Sequence, residues 1–250
     1  MTHRQFSRNA ASSRAIPISK QIKAVEENPA HPERWGTNGK GMQDHGLHSG
    51  PSFCESSWNR AKEWAIGSAK DLDELGLHKQ IVNRVLEPFS HITVLITATE
   101  WDNFFALRAH PDAQPEFQVL AYRMLDNYQN SVPDKLEWNE WHLPLAPEPG
   151  ELSNENRLLC SVANAARTSY TTHDGDFDIQ KQTELVNRLA SGGHWSPFEH
   201  QAQASPYDEH FISGNFKGGW LQYRQTFRTQ EKKDVDLASL LANKPDWITL

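Results

Sequence analysis

Two proline-bearing stretches, residues 26–55 and 131–152, break this 250-residue chain before any apolar pattern can run long. Proline removes a backbone donor and fixes φ, so neither stretch fits inside one long helix or a central strand. The first carries Pro29, Pro32, Pro51 and many glycines from Glu26 to Phe53, and reads as an irregular excursion. A loop of that length inside a compact domain is usually functional or partly disordered. The second holds Pro133, Pro144, Pro147 and Pro149 between Ser131 and Glu151, and reads as a surface connection.

Around these breaks the pattern is helical. Ser56 and Ser57 are set to cap a helix on which Trp58, Ala61, Ala65, Ala69 and Leu72 recur at three- and four-residue steps, with Gly76 as its stop. A second helix is expected from Leu77 to about Phe89, with Ile81, Val82, Val85 and Leu86 on one side. The run from His91 to Ile96 is short and apolar, which suits a buried strand or an extended turn. Glu100 to Arg108 reads as a helix with Trp101, Phe104 and Phe105 inward. Pro115 is the first-turn proline of another, carrying Leu120, Ala121, Met124, Leu125 and Tyr128. Two more helices are expected over about Asn154 to Tyr170 and Ile179 to Ala190, followed after Gly192-Gly193 by turns and short strands. The opening, to about Lys20, shows no apolar periodicity, and no internal repeat is present. The expected architecture is a helix-rich α+β single domain over residues 1–250 with a small antiparallel sheet.

Composition narrows the class further. Nine Trp and eleven Phe supply enough bulky surface for a core. No apolar run approaches the ~18–20 residues of a membrane span, and the start MTHRQFSRNA has no signal-peptide core, so a cytoplasmic protein without a membrane partner is expected. Cys54 and Cys160 make neither a disulfide framework nor a zinc ribbon. A net charge of −7 disfavours bulk binding to nucleic acid, yet is compatible with a small anionic ligand held by local arginines.

Four stretches concentrate chemistry. His3 to Arg14, with three arginines and several Ser hydroxyls, has the makings of an anion cradle; a solvated basic arm is the alternative. Thr97 to Arg108 ends on an arginine that can leave its helix to reach a ligand, or simply snorkel. Gly193 to His200 gathers two imidazoles, a carboxylate and a hydroxyl beside two aromatic rings, which suits a flat heteroaromatic ligand or a packed turn. The spacing of His194 and His200 matches no usual zinc pair, and His45 and His48 are equally weak, so no metal is expected. Ser213 to Arg224 is glycine-rich but lacks Walker spacing, and no GxGxxG unit or GxSxG elbow occurs.

Together these pieces resemble the flavin-dependent thymidylate synthase family. THRQFSRNAASSR resembles its Arg-His-Arg triplet followed by Ser-x-Asn-x-x-Ser-x-Arg, and GHWSPFEH its His-x-Ser/Thr-Pro-Phe-Glu-His segment. TATEWDNFFALRAHPDAQPE resembles its Asn-Phe-x-x-Leu-Arg segment with the following Ala-Gln-x-Glu, and AARTSY, at Ala165 to Tyr170, its Ala-Arg-x-Ser-Tyr. Two departures accompany the match. The Ser-Pro-Phe-Glu-His segment lies downstream of the triplet, a circularly permuted order most similar to phage-type members. Thr2 stands where the triplet's first Arg is usual, and Ala10 where Glu is usual. Because the chain starts at the triplet, a strand carried ahead of it by permuted relatives is expected to be missing.

The resemblance implies reductive methylation of dUMP to dTMP, with methylenetetrahydrofolate giving the carbon, reduced FAD the hydride, and NADPH restoring the flavin. It makes Arg108 the catalytic group that polarises the uracil. It places His3, Arg4, Asn103, His194 and Ser196 against FAD, with Glu199 orienting them. Ser12, Arg14 and Arg84 would hold the dUMP phosphate, and Gln222 the uracil or ribose. Sites formed between subunits of a homotetramer are implied. Thr2 and Ala10 leave a catalytically impaired relative that only binds nucleotide or flavin as a rival, and the Ser/Arg arm a nucleic-acid-binding module as another.

Overall fold

Strand β1 (Ser7–Ala10) pairs antiparallel with β2 (Val94–Thr97), Ser7 facing Thr97 and Ala10 facing Val94, so the start of the chain is locked to a segment about 90 residues on. This is seen in a computed structural model that describes residues 5–41, 43–150, 152–168, 178–206, 214–227, 239 and 243–245. Among these, helices α1 (Ile18–Glu27), α2 (Pro51–Glu74) and α3 (Lys79–Leu86) lie between the two strands. After β2 come α4 (Asp102–Arg108), α5 (Pro115–Asn130), β3 (Trp141–His142), α6 (Asn154–Ala166) and α7 (Ile179–Gly192). A 3-10 turn at Ser196–Glu199, β4 (Ala202–Ala204), β5 (Trp220–Gln222) and a final 3-10 turn at Tyr223–Phe227 follow. The second sheet has the order β3-β4-β5, all antiparallel. The fold is α+β and helix-rich.

Two clusters of apolar side chains hold it. One joins α1, α2 and α3 through Ile22, Val25, Ile66, Val82 and Leu86, closed by Phe89. The other joins α6, α7 and the Ser196–Glu199 turn through Val162, Ala163, Val186 and Phe198.

Several expectations need correction. Helix α1 occupies ground read as aperiodic or irregular: Ile18, Ile22 and Val25 recur at helical spacing and pack on α2 and α3. Helix α2 starts at Pro51, with proline at its first position, so Ser56 and Ser57 sit inside it and cap nothing. Helix α3 starts at Lys79, where the His78 side chain accepts from the Gln80 N–H, and turns 3-10 over Glu87–Phe89. The remaining excursion is ordered. Gly36 bridges Leu47, the His48 N–H donates to the Trp35 carbonyl at 2.8 Å, and the Trp35 ring stands edge-on to Trp58. The proline-rich connection contains β3. Helix α5 buries only Ala121; Leu120 and Tyr128 stay about half exposed.

Candidate functional site

Strand β1 belongs to the first of the four resembling segments, and the other three each contact it. Its pairing with β2 brings in the Thr97–Arg108 segment. The Ser7 hydroxyl donates to Glu199 Oε2 at 2.8 Å, and the Asn9 amide donates to the Ala165 carbonyl at 2.9 Å. The contact to Glu199 spans 192 residues of sequence. Local chemistry explains why Glu199 arrives there. Gly193 adopts φ 74°, which ends α7 and lets the His194 N–H close on the Leu189 carbonyl. Pro197 then starts the 3-10 turn, Phe198 enters the core, and Glu199 emerges beside Ser7.

Glu199 is a hub. Its other carboxylate oxygen pairs with Arg224, and its backbone carbonyl accepts from Asn215 Nδ2 at 2.9 Å. Asn215 also donates to the Thr97 carbonyl and accepts from Gln222 at 2.5 Å. These bonds weld β2, the Ser196–Glu199 turn and β5 into one support. Each joins groups largely withdrawn from water, where an unmade bond costs ~1–3 kcal/mol. The Asn9 Oδ1 atom, on the strand where all four segments meet, is buried without a partner.

The predicted site residues distribute as follows. His3 and Arg4 lie outside the described residues. Asn103, His194 and Ser196 are exposed, the His194 ring folding over Gly192, where a Cβ would approach it to 2.8 Å. Ser12 lines a cavity of about 510 Å³ with Ser13, Glu87 and His91. Arg14 and Arg84 are exposed and line neither that cavity nor the next. Arg108, at the end of α4, is exposed and lines a separate cavity of about 570 Å³, its guanidinium 5.9 Å from the centre of the Phe117 ring. Ser12 and Arg108 therefore serve different cavities of one chain. Gln222 is buried, and its amide is engaged by Asn215 and the Glu199 carbonyl, so it acts as a brace with no open edge for a pyrimidine.

Sequence reading overlooked Asn9, Thr97, Asn215 and Arg224 as parts of this support, and Arg34 and Asp44 as walls of the Arg108 cavity. Arg224 carried a signal: a cation in the run Trp220-Leu221-Gln222-Tyr223 needs a counter-charge once buried.

His200 follows Glu199 and is fully buried, its Nδ1 2.7 Å from Thr97 Oγ1 and its Nε2 without a partner. Burial, with His142 nearby, lowers its pKa from 6.5 to about 4. Burial lowers that of His142 as well. The folded chain thus refuses a proton that the unfolded chain accepts. Stability is full above pH ~6.5, falls between there and pH ~4, and then levels, a loss of about 3 kcal/mol from His200. Urea midpoints at pH 7.5 and 5 are expected to differ in the parent and to differ less in His200→Gln, where His142 still contributes; an unchanged pH slope in that variant refutes the assignment.

Among the described residues, no helix is long and apolar enough to cross a membrane, and no three His, Cys, Asp or Glu side chains gather as a metal-binding group. No protein-family model, curated protein or solved structure matches the chain.

Proposed function

We propose that this chain is a cytoplasmic, FAD-dependent thymidylate synthase with the fold of that family, methylating dUMP to dTMP with methylenetetrahydrofolate and NADPH as co-substrates. The observation that carries the reading is the convergence of the four resembling segments on β1 through Thr97, Glu199 and Ala165.

The residues fit a flavin. The orphaned Asn9 Oδ1 calls for a donor, and Asn103, His194 and Ser196 are exposed with polar atoms to offer a ligand. His3 and Arg4 complete the set by resemblance. FAD, when bound, supplies the hydride. Glu199 holds the turn that carries Ser196 by accepting from Ser7 and Arg224. Arg108 polarises the uracil carbonyls. Ser12 and Arg14, with Arg84, hold the phosphate. Ser12 and Arg108 line different cavities of one chain, and the reading has them brought to one nucleotide across the subunits of a homotetramer.

The purified protein is expected to be yellow, or to take up FAD with the visible absorption of bound flavin, and to turn over dUMP when folate and NADPH are added. A colourless protein that binds no added FAD overturns the reading. Flavin binding without turnover favours the impaired relative, which Thr2 and Ala10 motivate.

A further inference from the structure

The Arg108 cavity is walled on one side by the ordered excursion, and that wall carries a second guanidinium. We propose that Arg34 is a further cationic contact for the ligand of this cavity, reading the anionic group of a planar heteroaromatic molecule, with Asp44 as its positioning residue. The inference rests on the thymidylate synthase reading for the identity of its ligands.

The wall is built rather than casual. Arg34 Nη2 donates to Asp44 Oδ1 at 2.7 Å, and the Gly46 N–H donates to the same oxygen at 3.3 Å. Asp44 can lie there because position 36 has no side chain: a Cβ on Gly36 would fall 2.3 Å from Asp44 Oδ2. Trp35, next to Arg34, is anchored edge-on to Trp58, and the Glu33 N–H donates to Glu116 Oε1 at the start of α5. The excursion is thereby tied to α2 and to α5, and α5 lines the cavity.

Chemistry selects the ligand. A guanidinium has five N–H donors, and Asp44 takes one of those of Arg34, leaving a fork for an incoming anion. Arg108 makes no hydrogen bond or ion pair among the described residues, and Gln114, Gln118 and the Phe117 ring complete the lining. Amides and a ring face suit a flat, carbonyl-edged molecule, and about 570 Å³ lies within the ~300–1,000 Å³ of small-molecule sites. The opposing carboxylates are Asp44, which is paired, and Asp112, which faces His110 at 3.8 Å. In the proposed reaction the anionic group is a carboxylate of the folate where Ser12, Arg14 and Arg84 hold the dUMP phosphate, or that phosphate itself where they do not.

The test is calorimetric titration of the full chain with dUMP, deoxyuridine and folic acid. Arg34→Ala is expected to weaken dUMP or folic acid by roughly 10- to 100-fold, as for a lost charge-assisted contact, and to leave deoxyuridine and the melting temperature unchanged. Which ligand weakens identifies the anion. Arg34→Lys should recover part of the loss, and Asp44→Asn should weaken the same ligand by less. Parent-like binding of both anions by Arg34→Ala overturns the proposal alone, as does equal weakening of dUMP and deoxyuridine. A parent protein that binds neither anion overturns the functional reading, and the proposal falls with it.

Discussion

Replacing Arg108 by alanine is expected to lower dUMP turnover at least ~100-fold while leaving the fold in place. The magnitude follows from the proposed role, a charge aimed where electron density would grow on the pyrimidine, worth ~10²–10³ in rate at comparable sites. The indifference of the fold follows from the surroundings. Helix α4 buries no residue, and the contact of Arg108 with Phe117 is an exposed cation–ring contact worth ~0.5–1 kcal/mol. Turnover and the melting temperature, measured on the same preparation, separate these effects. Arg108→Lys is informative because it keeps the charge and loses the planar fork, so an intermediate rate assigns part of the effect to geometry. Undiminished turnover in Arg108→Ala moves the polarising role to another residue, and Arg34 in the same cavity is the first to test.

How far the sequence disclosed this arrangement depends on range. Where local chemistry decides, it was legible: Pro115 opens α5, Gly193 closes α7, and the apolar spacing of Ala65 and Ala69 marks the buried face of α2. Helix α1 escaped notice because Pro17 precedes it without a capping side chain, and its apolar positions stand among Lys20, Lys23, Glu26 and Glu27. The start of α2 was misplaced because two serines outweighed a first-turn proline. What no local signal could give is pairing. Four residues of β1 and two of β3 have no period long enough to read, and their partners lie far along the chain. The resembling segments named Glu199, but that it would meet Ser7 and Arg224 is a property of the fold. Gln222, read as a pyrimidine contact, instead lies beneath the surface as part of the Asn215 network.

The dependence of Glu199 on the core beneath its turn makes a second large effect: Phe198→Ala is expected to cost ~3–5 kcal/mol of stability. Phe198 is fully buried, with the rings of Trp195, Phe227 and Tyr223 at 5.4, 5.5 and 5.8 Å. Deleting it removes the apolar contact of one ring and opens a void that three rigid neighbours cannot refill. For a chain of this length such a loss lowers the melting temperature by ~6–20 °C. The void also sits directly before Glu199 and His200, so the Ser7–Glu199 and Thr97–His200 contacts lose their footing. Flavin retention is therefore expected to fall with stability in Phe198→Ala, measured as absorbance after gel filtration at a temperature where the variant is still folded. Phe198→Leu, which refills most of the volume, should restore much of both. Leu120→Ala, at a half-exposed position on α5, should change neither. A Phe198→Ala protein that melts lower yet keeps its full flavin complement separates the core from the site, and Glu199 must then be held by Ser7 and Arg224 alone.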